Sequence, residues 1–326
     1  MADGAFVIGV DVGGTKISVA SMRDGSLGTP QVCATDRSST DALVEQFVTQ
    51  IERVAGRERP AAVGIGIPSV VEFDTGLVRS STNIPLADVP LRTVLEDRLG
   101  VPVFVDNDAT VAALAEAHDE GARLASHCLV MITVGTGIGG GIVIGGRVFR
   151  GATGAAGEIG HMLVAIDPAV PAASNRFPQP GSLEALAAGH ALDGLARAAA
   201  AAHPQSALGR LLAQRGSVAG PDAVAAASEG DAVAVECVAT LGRRLGVGVA
   251  NMINTFDPEV VAIGGGVSSA GDLLLAPARS AAAEYVLLGV GTATEIRIAR
   301  SGPQAGVRGA ALLARSEIDH HHGAAR

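Results

Sequence analysis

Short apolar runs that break at glycine-rich turns fill the first half of the chain, and helical spacings fill most of the second. Residues 6–10 and 17–20, within FVIGVDVGGTKISVAS, read as the two strands of a hairpin with Asp11 at the end of the first. A turn near Asp24-Gly25 leads to a strand around 31–34. From Asp41 to about Ala55, Leu43, Phe47, Ile51 and Val54 recur at helical spacing. The run 61–71 reads as a buried strand that leaves through Gly66 and Pro68. The segment 72–90, with Asp74-Thr75-Gly76, Asn83 and Pro85, reads as a long loop near a site. Leu91 to Leu99 reads as a short helix.

Val101 to Val105 is a further strand, and Asp106-Asn107-Asp108 stands where it gives way to a helix. Asn107 or Asp108 suits the cap of that helix. A carboxylate at the carboxyl end of a strand, beside an amide that orients a hydroxyl, also suits a general base. The two roles are compatible.

The stretch from Leu129 to His161 repeats the opening design: strand, the turn Gly135-Thr136-Gly137, strand, then the tight turn Gly145-Gly146. Successive amides flanked by the Thr133 and Thr136 hydroxyls form a nest for phosphate oxygens. Asp11 takes the place of Thr133, and Gly13-Gly14 that of Gly135-Thr136, so the two hairpins point to a duplicated fold that clamps a nucleotide. Glu158 and His161 close the stretch with two polar groups for a hydroxylated substrate. Beyond an irregular 162–180, Ser182 is a natural N-cap with Glu184 in the first helical turn. Alanine-rich helices run to about 228, and a long helix from Asp231 to Asn254. The strand in 259–269 ends in a triple glycine where backbone can lie close to a ligand. A helix near 271–285, a strand near 294–299 and a helix near 303–315 complete the pattern.

Composition narrows the function. The chain has 326 residues, 48% of them hydrophobic and 17% charged, enough for two domains and a substantial core. No apolar run is long and uncharged enough to span a membrane, and the N-terminus has no basic segment ahead of the first strand. Three scattered cysteines fit reduced thiols and a cytoplasmic location. A net charge of −9 disfavours nucleic acid as a partner. With 2% aromatic residues and no Trp, recognition of a sugar rests on hydrogen bonds to its hydroxyls.

In this order and at these spacings, several motifs resemble the ROK family (repressor, open reading frame, kinase). They are Asp11-Val-Gly-Gly-Thr-Lys16, Asn107-Asp108-Ala109, the Thr133 to Gly141 loop, Gly157-Glu-Ile-Gly-His161, Leu183-Glu184, and Asp257-Pro-Glu-Val-Val261 with Gly264 to Gly266. The resemblance implies an α/β, two-lobed actin-like fold of the sugar kinase and ribonuclease H type, with duplicated domains and an interlobe cleft. It divides the chain into a smaller lobe, 1–118, completed by the helix 303–318, a larger lobe, 119–302, and a tail, 319–326. It implies ATP-dependent phosphorylation of a hexose, with glucose at its 6-hydroxyl the leading substrate and Asp108 the base. Asn107, Glu158, His161 and Glu184 become ligands of the other hydroxyls. By the same resemblance, Asp11 is expected to hold Mg²⁺, through water. Gly13, Gly14, Thr15 and Lys16, with Thr133, Gly135, Thr136 and Gly137, form the phosphate hairpins, and Gly265 and Gly266 lie by the nucleoside. The family also implies a homodimer, for which the apolar helix 232–254 is a candidate interface.

Two other readings remain: a sugar-binding regulator without catalysis, and polyphosphate as donor. Family regulators carry a DNA-binding helical region before the first hairpin, which the early strand and acidic charge disfavour. No basic run beyond Lys16 lines either hairpin, which favours a nucleotide. Zinc-containing members carry Cys-x-Cys-Gly-x-x-Gly-Cys-x-Glu after the histidine motif. Here Asn175, Phe177 and Ser182 take the cysteine positions, so no structural zinc is expected. Phe177, Pro178 and Pro180 are the expected substitutes in packing and loop stiffness. The tautomer of His161 must then be fixed by some other hydrogen bond. The loop after Asn83 also lacks the Trp that family members often carry, which bears on which sugar fits.

Overall fold

A computed structural model describes residues 5–81, 83–165 and 177–324, with side chains up to residue 319. Asn175, most of the irregular segment after His161, and the side chains of His320 to His322 lie outside that description. Close contacts divide the chain into two compact units. The first is Met1–Leu129 with Gly141–Gly157 and Arg300–Arg326, and the second is Val130–Gly140 with Glu158–Ala299.

In the first unit, β1 (Phe6–Val12) and β2 (Lys16–Arg23) form the expected hairpin, with Asp11 opposite Ser18. β3 (Ser26–Leu27) follows a turn in which Asp24 and Gly25 both take positive φ, the requirement of a tight two-residue hairpin. β4 (Gln31–Ala34) pairs with β2, and α1 (Thr40–Ala55) is capped by the Ser39 side chain. β5 (Ala62–Ile67) lies parallel to β1, and the sheet order is β3-β2-β1-β5, with β9 (Val103–Asn107) beyond β5. These parallel strands are apolar on both faces because both are covered. Ile8, Val10 and Ile65 pack with Leu43, Phe47 and Ile51 of α1 on one side. Val7, Ala62 and Phe104 pack on the other with α3 (Asp108–Glu116) and α10 (Ala305–Ala324). Gly9 and Gly64 permit the close approach of α10, since a Cβ at either would overlap its backbone at Val307 or Ala310.

The segment 72–90 is not a long loop. β6 (Ser69–Glu72), β7 (Leu77–Ser81) and β8 (Val89–Pro90) form a small antiparallel sheet ahead of α2 (Leu91–Leu99). The turn formers Asp74 to Gly76 make a hairpin, and Val71, Val78 and Leu86 are buried.

β10 (Cys128–Val134) and β11 (Ile138–Ile144) form the second hairpin, followed by β12 (Arg147–Val148) after Gly145-Gly146. In the second unit come α4 (Leu183–Ala187), α5 (Gly189–Ala202), α6 (Ala207–Arg215), α7 (Gly220–Ser228) and α8 (Ala232–Phe256). β13 (Val260–Gly264), α9 (Asp272–Tyr285) and β14 (Glu295–Ile298), parallel to β13, complete it. The strand order of this sheet is β12-β11-β10-β13-β14. Gly242 and Gly246 of α8 meet the α9 backbone at Leu274 and Ala278, and Leu241, Leu245 and Val249 enter the unit's own core. The apolar side of α8 proposed above as a subunit interface is therefore largely occupied within the unit. Among the described residues no helix is long and apolar enough to cross a membrane.

Candidate active site

The turn between β1 and β2 is braced from outside. The Gly13 amide donates to the Lys16 carbonyl at 2.8 Å. Thr35, just past β4, donates its hydroxyl to the Gly13 carbonyl at 2.7 Å and its amide to the Thr15 carbonyl at 3.1 Å. With those carbonyls engaged, the amides of Gly14 and Thr15 remain, and they make no backbone hydrogen bond among the described residues. Lys16 is exposed at the start of β2. This is the donor-rich turn a phosphate needs.

Asp11, next to last in β1, lies against the first turn of α10, where a Cβ on Gly306 would overlap its carboxylate. Burial first, and then the charge of Asp108, push its pKa up to about 6, while Lys16 pulls the other way. A half-buried carboxylate in that state is short of positive charge, which fits a bound divalent cation. A prediction follows with a definite sign. A carboxylate whose folded pKa lies above its unfolded value of 3.8 stabilises the fold below that value, and the contribution is lost as pH rises to about 6. About 2 pH units at about 1.4 kcal/mol each amount to about 3 kcal/mol. Asp11→Asn should therefore make the metal-free protein more stable at pH 7 by up to about 3 kcal/mol. Urea unfolding with chelator at pH 4 and pH 7 checks this; a variant less stable than wild type at pH 7 would contradict it.

At the β9–α3 junction the capping role falls to Asn107. Its Oδ1 accepts the amides of Ala109 (2.9 Å) and Thr110 (3.2 Å), and its Nδ2 donates to the Ser69 carbonyl (3.3 Å). Asp108 is the first helical residue, half-buried, with Oδ1 accepting the Ala109 amide at 2.8 Å. Asn107 thus has one amide hydrogen left for a hydroxyl. Asp106, which the motif reading did not single out, shares the face of Phe104 and is buried. It accepts the Asn107 amide at 2.9 Å and the Arg150 Nε–H at 2.8 Å. Arg150 lies 3.4 Å over the Phe73 ring and 3.6 Å from Glu317. Burial pushes the Asp106 carboxyl up, and Arg150 opposes it. Strand parity in Val-Phe-Val-Asp was the available signal for its burial; its cation, distant in sequence, was not legible.

In the second unit, the turn after β10 has the same construction. Gly135 donates to the Gly137 carbonyl at 2.9 Å. The Gly135 carbonyl accepts the Gly189 amide (2.8 Å), and the Thr136 carbonyl lies 3.0 Å from His190 Nδ1. Thr136 is exposed, Thr133 is half-buried in β10, and the amides of Thr136 and Gly137 make no backbone hydrogen bond among the described residues. Gly265, at φ 84°, lies against the Val134 backbone, where any Cβ would clash; Gly266 next to it faces open space. The triple glycine and the Gly135–Gly137 turn are thus neighbours.

Ile138 gathers the three remaining candidates. Its amide donates to Glu184 Oε2 at 2.7 Å. Its carbonyl abuts Gly160, in the 3-10 turn Ile159–His161 that carries His161. Glu158 precedes that turn, with Oε2 3.7 Å from His161 Nε2, an ion-pair distance but too long for a hydrogen bond. The Leu183 amide donates to the Met162 carbonyl at 2.8 Å, tying the Glu184 helix to the His161 turn. Phe177 packs edge-on against the His161 ring, with centroids 5.5 Å apart, but it is 69% exposed, so it does not replace the zinc site by burial as expected. The expected hydrogen bond fixing the His161 tautomer is not found among the described residues; Phe177 and Glu158 are the ring's neighbours. Ser182, at one of the former cysteine positions, is the buried N-cap of α4, accepting the Ala185 amide at 3.2 Å. Cys33, Cys128 and Cys237 form no disulfide, and no cluster of three or more metal-binding side chains occurs among the described residues.

Asp11, the Gly13–Lys16 turn, Asn107 and Asp108 therefore belong to the first unit, and the other candidates to the second. The residues missed from sequence, Thr35, Arg150, Gly189 and His190, act on the motif residues from outside the motifs.

The chain is similar to known proteins over nearly its whole length. The ROK family model matches residues 7–317. The glucokinase of Halalkalibacterium halodurans is 35% identical over 319 residues, spanning 96% of each chain. A ROK family glucokinase from Streptomyces griseus, solved with glucose and AMPPNP, superposes with a TM-score of 0.78 at 33% identity, covering 96% of this chain and 100% of that one. The ROK hexokinase of Thermus thermophilus gives a TM-score of 0.75 at 36% identity, covering 97% and 99%.

Proposed function

From the premise that the chain belongs to the ROK family and has its actin-like α/β fold, we propose that it transfers the γ-phosphoryl group of ATP to the 6-hydroxyl of glucose. The observation that carries this is the placement of Asp11, near the end of β1, and Asp108, the first residue of α3 just beyond β9, in one unit, close enough for the charge of Asp108 to push the Asp11 pKa up. The half-buried carboxylate of Asp108 takes the proton of the attacking hydroxyl. The oxygen it frees bonds to the γ-phosphorus as the bond to ADP breaks. The remaining hydroxyls go to Asn107, Glu158, His161 and Glu184.

The Gly13–Lys16 and Gly135–Gly137 turns, with Thr133, hold the phosphates through amides and hydroxyls, and Gly265 and Gly266 border the nucleoside. Asp11 is the residue suited to Mg²⁺, through water; the bound ion would offset phosphate charge. Phosphoryl transfer asks little covalent chemistry of the protein, so positioning and charge neutralisation carry the rate. We place the enzyme in the cytoplasm as a homodimer without structural zinc.

Coupled ADP release over a panel of hexoses tests this reading. Turnover with glucose above N-acetylmannosamine, fructose and allose is expected, and none with any hexose would overturn it. Polyphosphate in place of ATP should give no comparable rate.

A further inference from the structure

The two phosphate turns are braced alike by different residues. In the first, both braces come from Thr35, through its hydroxyl and its amide. In the second, they come from the corner between α4 and α5, through the Gly189 amide and the His190 ring. Carbonyl oxygens and phosphate oxygens repel, so a turn that binds phosphate must keep its carbonyls engaged elsewhere while its amides stay available. Opposite a carbonyl, His190 Nδ1 must carry the hydrogen. The same corner reaches the turn again through Glu184, which accepts the Ile138 amide. Its carboxylate lies so close beneath Gly137 that a Cβ there would overlap it.

We infer that His190 is a positioning residue for the 135–137 phosphate turn. We infer also that Glu184, assigned above to a sugar hydroxyl, serves this turn through the Ile138 amide, so that nucleotide affinity is set in part from the α4–α5 corner. The inference rests on the reading of that turn as a phosphate site. His190 is exposed and stands in no catalytic motif. Its loss should therefore act on the turn without emptying a core. Glu184 retains its second oxygen for a sugar hydroxyl, which places both substrates on one side chain.

The test is titration of the full-length protein with the Mg²⁺ complex of AMPPNP in the absence of sugar, beside steady-state kinetics and thermal midpoints. One neutral hydrogen bond corresponds to about a fivefold change in affinity. His190→Leu should weaken AMPPNP binding and raise the KM for ATP by about that factor, with the KM for glucose and the midpoint unchanged. His190→Asn, whose amide can stand where Nδ1 stood, should restore both. Glu184→Ala should weaken sugar-free AMPPNP binding, and Glu184→Gln, which keeps an acceptor for Ile138, should not. Wild-type affinity in His190→Leu, or an Asn variant as weak as the Leu variant, would overturn the role of His190. Wild-type affinity in Glu184→Ala would overturn that of Glu184. A wild-type protein that binds no AMPPNP would instead remove the phosphate-site reading on which both depend.

Discussion

Asp108→Asn is expected to lower kcat by about 10²–10⁴-fold, the usual contribution of a placed general base, while glucose affinity stays within a few-fold of wild type. The structure says why the two should separate. Asn can still accept the Ala109 amide, as Asp108 Oδ1 does, so the first turn of α3 keeps its geometry. The cap itself belongs to Asn107 and is untouched. What disappears is the acceptor for the hydroxyl proton. A second readout is independent of turnover. The Asp108 charge is among the causes that raise Asp11, so the variant should lower the Asp11 pKa. The component of stability that fades as pH rises should then fade at lower pH and be smaller. Comparable turnover in the variant, measured by coupled ADP release with glucose binding by calorimetry, would refute the base assignment.

The second large effect is structural and lies two residues away. Arg150→Met is expected to destabilise the protein by about 3 kcal/mol, the lower end for removing one partner of a buried ion pair. The lower end applies because the Arg150 side chain is 20% exposed, whereas that of Asp106 is only 2% exposed. Met preserves much of the packing over Phe73 while stranding the Asp106 carboxylate. Asp106 also receives the Asn107 amide, so its displacement should move Asn107 and Asp108, the residues proposed above to meet the substrate, and kcat should fall with stability. The double variant Asp106→Asn with Arg150→Met should recover a good part of the stability, because no buried charge is left unpaired. Urea unfolding of the two single variants and the double checks this. A loss below about 1 kcal/mol in Arg150→Met would mean the pair is not the anchor of the junction.

Most of the strands and helices were legible because their burial follows strict periods. Leu43, Phe47 and Ile51 mark α1, and the two-sided apolar strands β1 and β5 mark a covered parallel sheet. Turn chemistry was legible wherever glycine needed positive φ, as at Gly25, Gly145 and Gly146. The segment 72–90 misled because its turn formers sit between strands too short to show alternation; β8 has two residues. Motifs pick out the atoms proposed to act, but not those that hold them. Glu184 and Ile138 are 46 positions apart, and Asp106 and Arg150 are 44 apart, so nothing local couples them. His190 was invisible for the same reason, since its bond to Thr136 exists only once α5 is packed. Asp106 and Asp108 share strand parity, so alternation does not separate them; the chain turns into α3 at Asp108, which leaves that carboxylate half-buried while Asp106, still in β9, is buried.

Phosphorus-31 NMR of a reaction containing the full-length protein, ATP, Mg²⁺ and glucose addresses the central claim most directly. A hexose 6-phosphate signal growing in step with ADP, and absent with the Asp108→Asn variant over the same period, is the predicted result. ADP accompanied by inorganic phosphate alone, or a phosphoester at another hydroxyl, would contradict it.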